Sequence, residues 1–269
     1  MFENMKFGPG GTDYKDEEDE YVKIWVVPDN SEIVAVSIIK PSLYCWIHIH
    51  QDYRYLEKEI VEWIHQHIKE KYHYFDDSVI TFLVMESDAH RKKILAELGY
   101  KKMKLSEYNR IRPPDLPIPD FKLADGYSIK PVDIMEDFEK YRSVQGSVFP
   151  HMKRMTRKKA ETYSKASFYF PELDLVAVGP DDSFVAFCTV RMDPVSKIAE
   201  FEPVGTHPDH RKRGLAKALL CEALRRVRKY NPSLLCIQGA AANEAANRLY
   251  DSIGFIEKEA IYIWQKSVL

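Results

Sequence analysis

Apolar positions along the chain switch between a period of two and a period near 3.6, and the switches outline its elements. In the first half, strand patterns lie near Tyr21 to Val27, Glu32 to Ile39, Leu43 to Ile49, Val79 to Met85 and Glu107 to Ile111, with helices near Tyr55 to Glu70 and Asp88 to Leu98. In the second half the expected path is a strand at Tyr127 to Lys130, helices near Asp133 to Gln145 and Thr156 to Lys165, then strands at Leu173 to Val178, Phe184 to Met192 and Lys197 to Thr206. A helix follows with Leu215, Leu219, Leu220, Ala223, Leu224 and Val227 on one face. A strand at Leu234 to Gln238, a short helix at Asn243 to Ile253 and a final strand near Ala260 to Gln265 complete the path. Four prolines between Arg112 and Pro119 fit neither a helix interior nor a central strand. They mark a linker at 113–120 between expected domains at 1–112 and 121–269.

The join between the Lys197 to Thr206 strand and the following helix is basic and carries one glycine: Glu202-Pro203-Val204-Gly205-Thr206-His207-Pro208-Asp209-His210-Arg211-Lys212-Arg213-Gly214-Leu215-Ala216. Arg213 to Ala216 fall at the helix start, where backbone N–H groups lack intrahelical partners and the helix dipole favours an anion such as a pyrophosphate. Gly214, without a Cβ, lets a phosphate approach the backbone. Pro203 cannot donate to a neighbouring strand and Gly205 permits a bulge, so this strand is expected to stop pairing there. Strand alternation would place Glu200, Glu202 and Val204 on one face, just before that point.

Downstream lies Asn243-Glu244-Ala245-Ala246-Asn247-Arg248-Leu249-Tyr250-Asp251-Ser252-Ile253-Gly254-Phe255, a short helix closed by a glycine. The two blocks together resemble the GNAT superfamily of acyl-CoA-dependent N-acyltransferases. The family's acyl-CoA signature is Gln or Arg, two residues, Gly, one residue, Gly or Ala, and here it reads Arg211, Lys212, Arg213, Gly214, Leu215, Ala216. The resemblance covers roughly residues 127 to 266. It implies a twisted mixed sheet flanked by helices, with the pantetheine arm of acetyl-CoA entering between two splayed strands. It also implies that Val204, Gly205, Thr206, Arg211 to Ala216, Lys217, Asn243 and Asn247 lie along the cofactor, with Tyr250 facing its sulfur.

A weak repeat connects the halves. His50-Gln51-Asp52-Tyr53-Arg54 echoes His207-Pro208-Asp209-His210-Arg211, and Leu98-Gly99-Tyr100 echoes Ile253-Gly254-Phe255, at separations of 157 and 155 residues. The expected fold is therefore α/β, with two tandem GNAT-like domains, the first truncated and degenerate. In that copy Glu57 stands for Gly214, Leu56 for Arg213, Lys92 for Asn247 and Leu95 for Tyr250, so no cofactor is expected there.

Composition narrows the function. A net charge of −2 and a pI of about 6.5 lack the basic excess of a general nucleic-acid binder, so nucleic acid is not an expected partner. No apolar run has the length of a membrane helix and Met1 to Glu20 has no apolar signal core, which gives the expectation of a cytoplasmic protein without a membrane partner. Cys45, Cys188, Cys221 and Cys236 are scattered and read as free thiols. His48, His50, His65, His67 and His73 lack the carboxylate or third ligand of a metal site, and no metal is expected. The acidic run Lys15 to Glu20 reads as a solvated lead-in.

Acyl transfer requires a neutral amine, a stabilised oxyanion and a proton for the departing thiolate. Lysine-like amines, with a pKa of about 10.4, are almost wholly protonated at neutral pH, so a base is needed. Glu202 and Glu200 are the candidates, and a strand-edge carboxylate pair is the alternative. Backbone N–H groups at Val204 and Gly205 are candidates for the oxyanion and Tyr250 for the acid. His207 reads as a cap rather than a catalyst. His151, Lys153, Arg154 and Arg157 form a basic loop that would either be solvated or attract an acidic acceptor. The expectation is acetyl transfer from acetyl-CoA to a primary amine of a small molecule. A protein acceptor and a non-catalytic acyl-CoA-binding module are the alternatives.

Overall fold

The structure, a computed structural model, describes residues 21–27, 32–71, 78–150 and 155–269. The acidic lead-in, His73, and His151, Lys153 and Arg154 lie outside the described residues. The described residues gather into two compact units, one of residues 109–258 and another in which those between 21 and 108 are joined by 259–269.

In the unit that holds most of the first half, strands β1 (Tyr21–Val26), β2 (Ile33–Ile39) and β3 (Tyr44–Ile49) form an antiparallel ladder. β4 (Val79–Met85) then pairs parallel to β3 through Tyr44↔Thr81 and Cys45↔Phe82. Helix α1 (Glu57–Lys71) buries Ile60, Val61, Ile64 and Ile68, the stripe a 3.6-residue period predicts, and α2 (Ala89–Glu97) adds Ile94 and Leu95. The far edge of β4 is covered by the last strand of the chain, β11 (Glu257–Ser267), antiparallel from Ile261↔Met85 to Ser267↔Val79. Sequence spacing assigns this strand to the domain at 121–269, but its apolar residues are spent elsewhere. Trp264 and Val268 are buried in the core that also holds Ile80, Phe82 and Tyr100.

The second unit begins with the end of β5 (Lys101–Arg112), a longer strand than the 107–111 pattern predicts. It continues through β6 (Ser128–Pro131), α3 (Phe138–Val148), α4 (Arg157–Ser164), β7 (Tyr169–Val178), β8 (Phe184–Met192) and β9 (Ile198–Thr206). Helix α5 (Leu215–Val227), β10 (Leu234–Ala241) and α6 (Glu244–Asp251) follow. Its sheet order is β5-β10-β9-β8-β7-β6. β6 to β9 are antiparallel neighbours, whereas β10 runs parallel to β9. All nine residues of β8 are buried. One face of the sheet packs on α5 and the end of α6, through Leu219, Leu224, Tyr250 and Phe255, and the other on α3 and α4, through Tyr141, Val144 and Tyr163. No helix among the described residues is long and apolar enough to cross a membrane.

Candidate active site

The site is built where β9 leaves its partners. β9 and β10 stay in register only at Leu234↔Ile198, Leu235↔Ala199 and Cys236↔Glu200, although both strands run on to Thr206 and Ala241. On the other side of β9 the register moves from Val190↔Phe201 to Cys188↔Val204, two steps on β8 against three on β9. One extra residue is therefore inserted at Glu202–Pro203, a bulge opposite Thr189. This corrects two expectations. Glu200, across from Arg191, and Val204, across from Cys188, stand on opposite faces, because a one-residue insertion inverts the alternation. Gly205 does not make the bulge, since it pairs in register with Phe187. A Cβ on Gly205 would lie 2.5 Å from Val148 Cγ1 and 2.8 Å from Phe187 Cζ, so the glycine is needed for the close approach of α3.

The same ladder decides which N–H groups of β9 are open. The His207 N–H donates to the Val185 carbonyl at 2.8 Å. Backbone groups alternate sides along a strand, so Gly205 also turns its N–H to β8, while Val204 and Thr206 turn theirs to the edge where β10 has parted. Of the two expected oxyanion donors, the geometry retains Val204 and not Gly205.

After β9 the chain makes a short 3-10 turn, Pro208–His210. His207 caps it, accepting from the Asp209 N–H at 3.3 Å, as its sequence context predicts. Lys212 (φ 62°) and Gly214 (φ 77°) then adopt left-handed backbone before α5. No atom stands within 4 Å of where a Gly214 Cβ would be, so it is the backbone angle and not crowding that calls for glycine. The first bond inside α5 runs from Ala218 N–H to Gly214 O, which leaves the N–H groups of Leu215, Ala216 and Lys217 ahead of the intrahelical ladder. Arg211, Lys212 and Arg213 are exposed beside them. Arg211 Nε donates to the Thr206 carbonyl at 3.2 Å, which ties the turn back to β9.

Of the candidate acid and bases, Tyr250 and Glu200 are buried and Glu202 is half-buried. Burial, followed by the nearby Glu202 and Cys188, pushes the Tyr250 phenol well up, while Arg110 acts in the opposite direction. Burial also raises the Glu200 carboxyl, with Arg191 opposing. Glu200 belongs to a polar row under α3 and α4. There Asp174 Oδ1 accepts from Thr189 Oγ1 at 2.7 Å and from Tyr141 Oη at 3.1 Å, and burial lifts its carboxyl to about 6.

The two asparagines expected along the cofactor are partly engaged by the protein. Asn243 caps α6, its Oδ1 accepting from the Ala246 N–H at 2.9 Å. The Asn247 side-chain oxygen accepts from Arg110, a residue that periodicity alone does not single out. A pair of arginines two apart on a strand, Arg110 and Arg112, was the available signal, and both are fully buried. Arg112 donates to Ile253 O at 2.8 Å, Leu116 O at 2.7 Å and Pro117 O at 2.9 Å, fixing the proline stretch to the end of α6. All four cysteines are buried free thiols. No group of three or more His, Cys, Asp or Glu able to hold a metal is present among the described residues.

Residues 134–255 match the Acetyltransferase (GNAT) family, and this segment contains the parted strand β9 and the basic left-handed turn. It is 27% identical over 146 residues to a mycothiol acetyltransferase of Paenarthrobacter aurescens and 24% identical over 174 residues to one of an Arthrobacter species. These matches take in 52% and 62% of this chain and 45% and 54% of the relatives, so the chain matches about half the length of those proteins. In fold it is similar to a GCN5-related N-acetyltransferase from Sphaerobacter thermophilus (TM-score 0.70, 19% identity, 92% of this chain and 80% of that one). It is also similar to a tandem GNAT protein from the clavulanic acid biosynthesis pathway (TM-score 0.62, 14% identity, 93% and 84%). The second likeness extends over both halves of the chain, and the fold class is that of tandem GNAT-like domains.

Proposed function

We propose that the protein transfers an acetyl group from acetyl-CoA to a primary amine of a small molecule, by direct attack in a ternary complex. The observation that carries this reading is the parting of β9 from β10 after Glu200, next to the left-handed turn at Lys212 and Gly214. An extended pantetheine arm can add to the freed edge of β9 as a strand would. The pyrophosphate would then meet the N–H groups of Leu215, Ala216 and Lys217 and the side chains of Arg211, Lys212 and Arg213. Thr206, Asn243 and Asn247 would border the arm, Asn247 through its amide nitrogen because its oxygen is engaged.

In the reaction the amine nitrogen bonds to the thioester carbon and the C–S bond breaks. The amine proton passes to Glu202, with Glu200 as the second candidate, and the oxyanion is met by the Val204 N–H. The thiolate takes its proton from Tyr250, whose raised pKa keeps the phenol protonated at neutral pH. The two relatives named for mycothiol, rather than for a protein, favour a small-molecule acceptor. The linker at 113–120 remains part of this proposal, with the first half as a copy that binds no acyl-CoA and the domain expected at 121–269, less its last strand, carrying the chemistry.

The test is a calorimetric titration with acetyl-CoA, followed by a panel of primary amines assayed for released thiol. One site per chain and amine-dependent thiol release are expected. Absence of binding overturns the transferase reading, binding without turnover on any amine favours a binding module, and turnover only on peptides favours a protein acceptor.

A further inference from the structure

We propose that Arg110 is a positioning residue of the transfer step, holding α6 so that Tyr250 stays beside Glu202. This rests on the acetyltransferase reading and adds to it a residue that lies outside the family-matched segment 134–255. Helix α6 has eight residues and buries only Tyr250 of them. So short a helix is marginal by itself and needs tertiary anchors.

Arg110 supplies three anchors. Its guanidinium donates to the Asn247 side-chain oxygen, to Asp251 Oδ1 at 2.7 Å and to the Phe255 carbonyl at 2.8 Å. Asn247 and Asp251 are four apart and so share a face of α6, while Phe255 lies beyond its end. One planar fork thus fixes the middle of the helix, its last residue and the chain that follows. Arg110 is fully buried, and a buried guanidinium holds its geometry only while these partners satisfy it.

The same group is poised for the chemistry. Its Cζ lies 5.5 Å from the centre of the Tyr250 ring. It is the cation that counters burial, Glu202 and Cys188 in setting the Tyr250 phenol. When Tyr250 gives its proton to the thiolate, a phenolate is left in an apolar setting, and the adjacent guanidinium stabilises it. The charge and the anchoring come from one side chain, so both are lost together when it is removed.

Arg110→Gln and Arg110→Lys in the full chain test the proposal, with Asp251→Ala as a milder variant that keeps the Arg110–Asn247 bond. Three quantities are read: amide hydrogen exchange, acetyl-CoA affinity by calorimetry, and kcat on the best amine of the panel. Arg110→Gln is expected to lower protection at 247–255 by at least about tenfold, while α5 keeps its protection. It should reduce kcat about 100-fold, since displacement of a catalytic group by about 1 Å has that effect, and leave acetyl-CoA affinity within about threefold. Arg110→Lys should recover part of kcat through its charge, and Asp251→Ala should fall between it and the native protein. Should Arg110→Gln fail to fold, the other two variants carry the test, and native kcat and protection in both overturn the proposal. Unchanged protection at 247–255 overturns it, as does weakened acetyl-CoA binding at native kcat. If the native protein shows no acetyl-CoA binding, the transferase reading fails and the inferred role in transfer falls with it; the exchange data then show only whether Arg110 anchors α6.

Discussion

The two halves of the chain build the same turn twice, and the two turns end differently. His50 and His207 cap them in the same way, accepting from the N–H groups of Asp52 at 3.4 Å and Asp209 at 3.3 Å. The later helices match as well. Asp88 and Asn243 each accept from an N–H three residues on, and Gly99 and Gly254 close the helices at φ 82° and 93°. Between cap and helix the copies diverge. The second half breaks its turn with left-handed Lys212 and Gly214, which exposes backbone donors. In the first half the 3-10 turn Gln51–Leu56 runs straight into α1, and the Glu57 N–H is taken by Arg54 O. Glu57, aligned with Gly214, is fully buried and held by Arg91 and by Arg54 at 2.7 Å, while Arg54 also pairs with Asp88 at 2.8 Å. Two arginines that could serve a phosphate serve the protein's own carboxylate instead. The same cap and core can thus carry two different turns, because the fold depends on caps and core and the turn on a few backbone angles.

The largest effect should come from breaking the self-satisfied copy. Glu57→Ala leaves Arg54 and Arg91 without their central partner and is expected to destabilise the protein by about 3–5 kcal/mol in denaturant unfolding. It should open no second acetyl-CoA site, since the turn stays wound; two sites by calorimetry would refute the comparison.

Asp174 offers the contrast of a buried carboxylate held by hydroxyls. Burial lifts its carboxyl from the ordinary aspartate range to about 6, so protons favour the native state. Its stabilising contribution is complete below pH 4 and is lost as the pH rises through 6, by about 3 kcal/mol in all. Asp174→Asn should remove that dependence. The stability of the native protein minus that of the variant should then fall between pH 4 and 7, and a flat difference would count against it.

Next in size is the transplant of the first copy's residue into the second. Gly214→Glu introduces a carboxylate and a Cβ at φ 77°, and acetyl-CoA affinity should drop about 100-fold by calorimetry, through charge repulsion and left-handed strain. The smallest effect is expected at the helix caps. Asp88→Ala and Asn243→Ala should each cost about 1 kcal/mol of stability, and a much larger loss in one of them would show that the matched caps are not equivalent.

Much of this could be read from local pattern. The core stripe of α5, the cap at His207 and the repeat itself all depend on residues within a turn or two of one another. What escaped the pattern was register and pairing. Alternation placed Glu200 with Val204 until the bulge at Glu202–Pro203 inverted it. Gly205 looked like the source of the bulge and proved to be the place where Val148 and Phe187 press closest. Arg110 looked like an ordinary strand residue, since nothing nearby in sequence announces that its partners are Asn247, Asp251 and Phe255.

The sequence by itself determined most of the elements, the basic turn with its glycine and the repeat of that turn in the first half, because periodicity, caps and left-handed glycine are properties of short segments. Only the tertiary structure decided which N–H of β9 is open and which cation attends Tyr250. It also decided that the last strand completes the sheet of the first half. Those outcomes depend on ladders and buried ion pairs between residues far apart in the chain, whose choice of partner is made when apolar surface and charge are buried together.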